Sequence, residues 1–267
     1  IQFPLEIVKR TREEVGENFI IIYRLSMLDL VDDGSSWEEV EMLAQEIEKA
    51  GATIINTGIG WHEARIPTIA TMVPRGGFAW VTKKLMGKVK IPLITTNRIN
   101  TPELAENILS EGCSDMISMA RPFLADPNLM KKAQEGESEN INTCIGCNQA
   151  CLDHVFKRKA ASCLVNPRAC EENKWFDASV QASPNGKKIA LIGGGPASLT
   201  VARDLILIGY QCILFEKDNR AGGLMRTNIP SFRLPEEVLN EEVDQIINLG
   251  IETRFNSEIT SMKKLLK

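Results

Sequence analysis

Residues 143–167, TCIGCNQACLDHVFKRKAASCLVNP, place Cys144, Cys147, Cys151 and Cys163 in the pattern C-x2-C-x3-C-x11-C, which takes four of the seven cysteines in a 267-residue chain. A chain this long with so few cysteines has little need of disulfide staples, so a tight local cluster points to a metal. Four thiolates from one loop suit either a tetrahedral zinc ion or a [4Fe–4S] cluster. Structural zinc sites usually take two separated C-x2–4-C knuckles. Three close cysteines and one distant one instead match the three-plus-one arrangement of iron–sulfur enzymes, and Gly146 and Ala150 let the loop curl tightly. The spacing favours iron–sulfur over zinc or unligated core thiols.

Composition agrees with a packed protein working in a reducing compartment. Hydrophobic residues make up 43% of the chain, and 31 basic against 35 acidic residues leave a net charge of −4. With no basic stripe interleaved with aromatics, nucleic acid is not an expected partner. No run of 18 or more apolar residues and no signal-peptide pattern appear, so a membrane is not expected either and the cytoplasm is the expected location. The chain begins at Ile1 without an initiator methionine and stops at Lys267 where the pattern starts another helix. Its ends read as those of an internal fragment.

Outward from the cysteines, residues 19–134 alternate short apolar runs with helical patterns, the signature of βα units. The strands read as FIIIYRL (19–25), ATIINTG (52–58), IPLITTN (91–97) and SDMISMA (114–120). After the first, Ser36 and Glu39 form a capping box, and Val40, Leu43, Ala44 and Ile47 share one helix face. Thr101-Pro102 and Asp126-Pro127 supply N-cap and N1 for two later helices. Periodicity alone fits a doubly wound sheet as well as half of a (β/α)8 barrel. Beyond a linker at 171–186 lies a second βαβ unit: KKIALIG (187–193), a helix to about Ile208, and QCILFEK (211–217). A helix with Pro235 at N1 ends at Gly250, and IETRFNS (251–257) follows as a strand.

CIGCNQACLD (144–153) and SCLVNPRAC (162–170) resemble the cluster segment of the bacterial NADPH-dependent 2,4-dienoyl-CoA reductases. These are multidomain relatives of Old Yellow Enzyme in which an FMN barrel precedes a [4Fe–4S] loop and an FAD/NADPH module. Trimethylamine dehydrogenase is similar but has x2 between the second and third cysteines, so the x3 between Cys147 and Cys151 favours the reductases. The resemblance implies that the four βα units are the last four of a (β/α)8 TIM barrel, with a flavin face at the C-terminal strand ends. It assigns Arg24, closing FIIIYR, to the flavin pyrimidine, and Arg98, Ala120 and Arg121 to the FMN phosphate. It assigns His62 to assisting a proton-donating tyrosine for which this chain has no counterpart. A lone histidine, or an arginine at a strand end, is otherwise more often structural. His154 reads as a packing or hydrogen-bonding residue, and Cys113, Cys170 and Cys212 as structural.

In IALIGGGPASLTVARDL, Gly193 and Gly195 follow a strand and Pro196 and Ala197 open a helix, while Glu216 ends the next strand. This is the dinucleotide fingerprint in context: helix-start N–H groups for a pyrophosphate and a carboxylate for a ribose, with Ser198 where a third glycine is usual. AGGLMRTNIPSFRLP (221–235), with Gly222 and Gly223, resembles the second flavin-contact segment of the glutamate synthase small subunit and of dihydropyrimidine dehydrogenase. That resemblance implies FAD rather than NAD at this site.

The expected fold is α/β: a partial FMN-binding TIM barrel (1–140), a [4Fe–4S] cluster segment (141–170), a linker (171–186) and the start of a Rossmann-like FAD-binding domain (187–267). The expected activity is reduction of a 2,4-dienoyl-CoA, an acyl-CoA substrate, by electrons passing from NADPH through FAD, the cluster and FMN. The NADPH domain and the other half of the barrel are expected outside this chain, as partners that complete it. A related enoate reductase or amine dehydrogenase, or a non-enzymatic zinc-loop protein, are the alternatives. Serine is a poorer and harder ligand for iron than a thiolate. Cys147→Ser is therefore expected to abolish iron and sulfide incorporation while far-UV circular dichroism keeps its helical signal; unchanged iron content would contradict the ligand assignment.

Overall fold

A computed structural model describes residues 1–61, 63–174 and 186–265. The chain divides into two compact units, Ile1–Phe123 with Gly146–Asn148, and Leu124–Ile145 with Gln149–Lys267.

The first unit runs α1 (Gln2–Val15), β1 (Ile22–Leu28), α2 (Trp37–Lys49), β2 (Ile54–Ile59), α3 (Ala79–Leu85), β3 (Leu93–Thr95), α4 (Pro102–Ser110), β4 (Met116–Ile117) and the start of α5 (Arg121–Ala125). Its four strands pair in parallel in the order β1-β2-β3-β4. Such crossovers need a helix between strands, and the helices cover one face. Leu25, Met27, Ile55 and Leu93 meet Val40, Ala44 and Ile47 of α2 and Val81 and Leu85 of α3 in one core. Arg24, by contrast, stands on the opposite, exposed face of β1. The capping box of Ser36 and Glu39 forms as read, as do the N-cap of Thr101 and Pro102 at N1. The sheet remains open, with β1 and β4 at its edges among the described residues.

Three readings of local structure are corrected. The first strand begins at Ile22 and ends at Leu28, so Arg24 is its third residue and does not close it. Phe19 and Ile20 are left exposed because Ile21 is bound by the Thr53 side chain, and the ladder begins only at Ile22↔Ile54. The helix expected from Asp126-Pro127 starts later, as α6 (Leu129–Glu135) with Asn128 at its N-cap. Asp126, only 2% exposed, instead accepts from Asn128 N (2.9 Å), Lys132 Nζ (2.6 Å) and Asn142 N (3.0 Å). Pro235 is the N-cap rather than N1 of its helix, with extended backbone.

The second unit continues with α7 (Leu152–Phe156), β5 (Lys188–Ile192), α8 (Pro196–Leu207), β6 (Gln211–Phe215), α9 (Leu224–Thr227), α10 (Glu236–Asn248), β7 (Glu252–Arg254) and α11 (Met262–Leu265). Strands β5, β6 and β7 pair in parallel in that order. Leu191, Leu199, Ala202, Leu214, Leu239, Val243 and Ile251 form the core between sheet and helices. Most of the expected linker, 175–185, lies outside the described residues. Cys113 and Cys212 are buried as read, whereas Cys170 is exposed.

Within this unit α10 is tied to the stretch just before Cys144: Gln245 Nε2 donates to Glu139 O (2.7 Å) and Ile141 O (3.0 Å). Glu242, three residues earlier on α10, has a buried Oε1 without a partner among the described residues. Burial pushes its carboxyl up to about 7; Glu241 and Asp126 add to the rise and Arg203 and Lys132 oppose it. In the unfolded chain this group ionises near 4.5, so its contribution to stability is full below that pH and is lost as pH rises toward 7. The loss amounts to roughly 3 kcal/mol. Urea unfolding across this window is expected to show a weaker fall of stability with pH in Glu242→Gln than in the wild type; an identical slope would contradict the assignment.

Candidate active site

Four residues of neighbouring strands share the uncovered face of the first sheet. Arg24 stands beside Asn56 in the β1–β2 register, and Ser26 beside Gly58. A Cβ on Gly58 would lie 3.4 Å from Arg24 Nε and 3.7 Å from Nη2, so the guanidinium runs along the sheet over Gly58 toward the C-terminal strand ends. Asn56 Oδ1 is buried and has no hydrogen-bond partner among the described residues, which leaves an acceptor on the same face. Arg24 thus starts deeper in the strand than the sequence implies, yet its charge is carried to the expected end.

At the end of β3 the chain does something uncommon: Asn97 and Arg98 are consecutive residues in the left-handed region, with φ of 73° and 58°. Both are buried, and such conformations outside glycine cluster at functional sites. Asn97 Nδ2 donates to Thr68 O (3.2 Å), Arg98 Nε donates to Val73 O (3.0 Å), and Arg98 O accepts from Gly76 N (2.9 Å). The loop after β2 is thereby stitched to the end of β3. Beneath it, the buried hydroxyls of Thr57, Thr82 and Thr95 bond one another at 2.9 Å, and Thr57 also donates to Ile94 O. Ala120 and Arg121 stand where expected, after β4 at the start of α5, with Ala120 O accepting from Phe123 N. Arg121 Nη1 donates to Asn148 Oδ1, and Arg98 lies against Gly146. Arg98 after β3 and Arg121 after β4 thus stand at C-terminal strand ends, and guanidinium groups are donors of the kind that fits a phosphate dianion.

His62, the one candidate proton-transfer residue, lies outside the described residues. Its neighbour Trp61 is held by a bond from its N–H to Asp29 O (3.1 Å), directly after β1. Burial pushes the Asp29 carboxyl up, but hydrogen bonds from Ser26, Ser35 and Trp61 outweigh it and hold the group below the ordinary carboxylate range. Asn56, Gly58, Asp29, Asn97 and Asn148 were not singled out from sequence. The signal for the two left-handed asparagines lay in their residue type, which tolerates that conformation.

The four candidate ligands Cys144, Cys147, Cys151 and Cys163 are partly buried thiols in a region largely without regular structure. Gly146–Asn148, with Cys147 at its centre, folds with the first unit, and the other three fold with the second. Among the described residues no group of three or more His, Cys, Asp or Glu side chains stands in metal-holding geometry. The donor set itself, four soft sulfurs with turns at Gly146 and Asn148 on either side of Cys147, fits an iron–sulfur cluster in kind. His154 accepts the reading given to it, with Nδ1 3.1 Å from Ala160 O.

In the second unit, Gly193, Gly194 and Gly195 join β5 to α8, which opens with Pro196 and Ala197. A Cβ on Gly194 would come within 3.0 Å of Ala221 Cβ and Glu216 Oε2, and one on Gly223 within 3.0 Å of Gly195 Cα. The turn and the Gly222-Gly223 segment therefore pack backbone to backbone, with Gly222 N donating to Gly194 O (2.7 Å). Gly195 has open space where a side chain would stand, as close approach of a pyrophosphate requires. Glu216 directly follows β6 and is buried, accepting from Gly194 N and Asp218 N. It braces the turn. The cradle fits a dinucleotide.

The NADH:flavin oxidoreductase / NADH oxidase family matches residues 1–140, and an NAD(P)-binding Rossmann-like domain matches 191–246. Over 260 residues the chain is 39% identical to a metal reductase of Desulforamulus reducens, covering 97% of this chain and 38% of that protein. It is 31% identical over 256 residues to a bilirubin reductase of Mediterraneibacter gnavus, covering 93% and 39%. The solved structure of a 2-naphthoyl-CoA reductase with 2-naphthoyl-CoA superposes with a TM-score of 0.88 at 32% identity, covering 97% of this chain and 40% of that one. The chain thus spans about two fifths of the length of these relatives. No helix among the described residues is long and apolar enough to cross a membrane.

The path of Arg24 over Gly58 generates a paired expectation. Gly58→Ala brings a methyl to ordinary contact at 3.4 Å, whereas Gly58→Val places a branch in the path of the guanidinium. In the protein as its gene encodes it, the valine variant is expected to weaken FMN binding about tenfold, or ~1.4 kcal/mol, in a fluorescence-quenching titration, with the alanine variant close to wild type. Equal affinity in all three would remove Arg24 from the flavin face.

Proposed function

The chain belongs to the NADH:flavin oxidoreductase / NADH oxidase family, and from that premise we propose that it forms part of an NADPH-dependent reductase of a 2,4-dienoyl-CoA. The observation that carries the reading is the buried left-handed pair Asn97–Arg98 after β3, bound by Thr68, Val73 and Gly76, with Arg121 standing after the neighbouring strand β4. Bound in such an enzyme, FMN supplies hydride to carbon, a [4Fe–4S] cluster single-electron transfer, and FAD acceptance of hydride from NADPH.

The residues of the chain do the rest. Arg98 and Arg121, with the backbone at Ala120, hold the FMN phosphate. Arg24 faces the pyrimidine end and favours the negative charge that builds there on reduction. Asp29 O accepts from the backbone N–H of Trp61, the residue before His62, and the resemblance assigns His62 to assisting a proton-donating tyrosine supplied by the rest of the barrel. Cys144, Cys147, Cys151 and Cys163 are the proposed cluster ligands. Gly193, Gly195, Pro196, Ala197, Gly222 and Gly223 cradle the FAD pyrophosphate, with Glu216 on the ribose. The partners proposed are an acyl-CoA substrate and the remaining barrel and NADPH-binding segments, in a cytoplasmic protein. An acyl-CoA substrate is supported by the solved relative, whose own ligand is a conjugated acyl thioester.

The test is NADPH-dependent loss of dienoyl-CoA absorbance by the anaerobically purified protein as its gene encodes it, with flavin, iron and sulfide analysed alongside. Turnover with both flavin and iron present is expected. A coloured protein that oxidises an amine but ignores the thioester would place it with the amine dehydrogenases, and a colourless one with stoichiometric zinc would overturn the reading.

A further inference from the structure

We infer that Arg98 and Arg121 clamp the cysteine segment at Gly146–Asn148, so that order in this part of the segment and retention of a flavin phosphate rise and fall together. The inference rests on the flavin reading above and assigns its two phosphate arginines a second task.

Both contacts lie within the first unit. A Cβ on Gly146 would stand 2.6 Å from Arg98 Nη1, 3.1 Å from its Cζ and 3.3 Å from the backbone nitrogen of Thr71. Gly146 therefore sits in a slot between a guanidinium and a neighbouring loop, and its φ of 67° excludes most other residues. The guanidinium is not a loose surface group: Arg98 is 8% exposed, and its Nε is bound to Val73 O. Two residues on, Asn148 at φ 63° turns its carboxamide back to accept from Arg121 Nη1. Cys147 lies between these two fixed points. The cysteine read as a cluster ligand is thus flanked on each side by a residue held by one of the proposed phosphate arginines.

A guanidinium carries five N–H donors in a planar fork, enough to serve a protein partner along one edge and an anion along another. An anion that fixes both forks lowers the remaining cost of ordering Gly146–Asn148, and an ordered segment presents the forks already aligned. Linkage makes the effect reciprocal, so perturbing the segment must weaken phosphate binding even when the arginines are untouched. Neither asparagine nor glycine at these positions has a charge of its own to offer a phosphate.

Two variants in the protein as its gene encodes it test this. Asn148→Gly removes the carboxamide without backbone strain, and Gly146→Ala pushes on the Arg98 guanidinium. Each is expected to lower FMN retained after gel filtration about fivefold, within the usual range of coupling between sites. Amide hydrogen exchange at residues 146–148 is expected to slow on adding FMN to the flavin-stripped wild type and to change little in Asn148→Gly. Normal flavin retention in both variants, with iron loss alone, would overturn the inference and leave the flavin reading intact. A wild-type protein that neither contains nor binds FMN would overturn that reading and the clamp with it.

Discussion

The site in the first unit depends on holding two L-residues, Asn97 and Arg98, in a left-handed bend at the end of β3. Each such residue costs of order 1–3 kcal/mol and persists only where its surroundings over-determine it. Here they do. The Asn97 carboxamide is bound to Thr68 O, Arg98 is bound through both its side chain and its carbonyl, and the hydroxyls of Thr57, Thr82 and Thr95 lock the strands below. The bend ends the strand after three residues and sets the direction of the Arg98 guanidinium. Without it there would be neither a cationic turn for a phosphate nor a wall for Gly146.

The second unit uses buried charge in a comparable way. Asp126 gathers Asn128, Lys132 and Asn142, and Lys132 also donates to Asn140 O, so the approach to Cys144 is fixed by one carboxylate. Gln245 grips the same stretch from α10. Removing one partner of a buried ion pair typically costs ~3–5 kcal/mol, which makes Asp126 a structural anchor for the chain entering the cysteine segment. Glu216 does similar work for the glycine turn by binding Gly194 N.

Much of this was legible in the sequence because local rules and tertiary packing agreed. The capping box at Ser36, the apolar face of α2, Pro102 at N1 and the βαβ unit around Gly193 and Gly195 all form where their patterns place them. Readings failed where tertiary contacts overruled a local signal. The apolar run at Phe19 looks like strand, but Thr53 captures Ile21 and delays the ladder. Asp126-Pro127 looks like a cap, but Asn142 and Lys132, distant in sequence or off the cap, claim the carboxylate. The strained bend at Asn97 and the turn at Asn148 had only the tolerance of asparagine to announce them. The cysteine spacing names a ligand set, yet spacing alone says nothing of how the sulfurs converge.

The central claim is that Arg98, aimed by its left-handed backbone, holds the phosphate of FMN. Phosphorus NMR of the flavin-loaded protein addresses this directly, because the monoester of FMN resonates apart from the pyrophosphate of FAD. The account predicts a bound monoester resonance that shifts toward the free position in Arg98→Lys while the pyrophosphate signals stay in place. A monoester resonance identical in wild type and variant would contradict it.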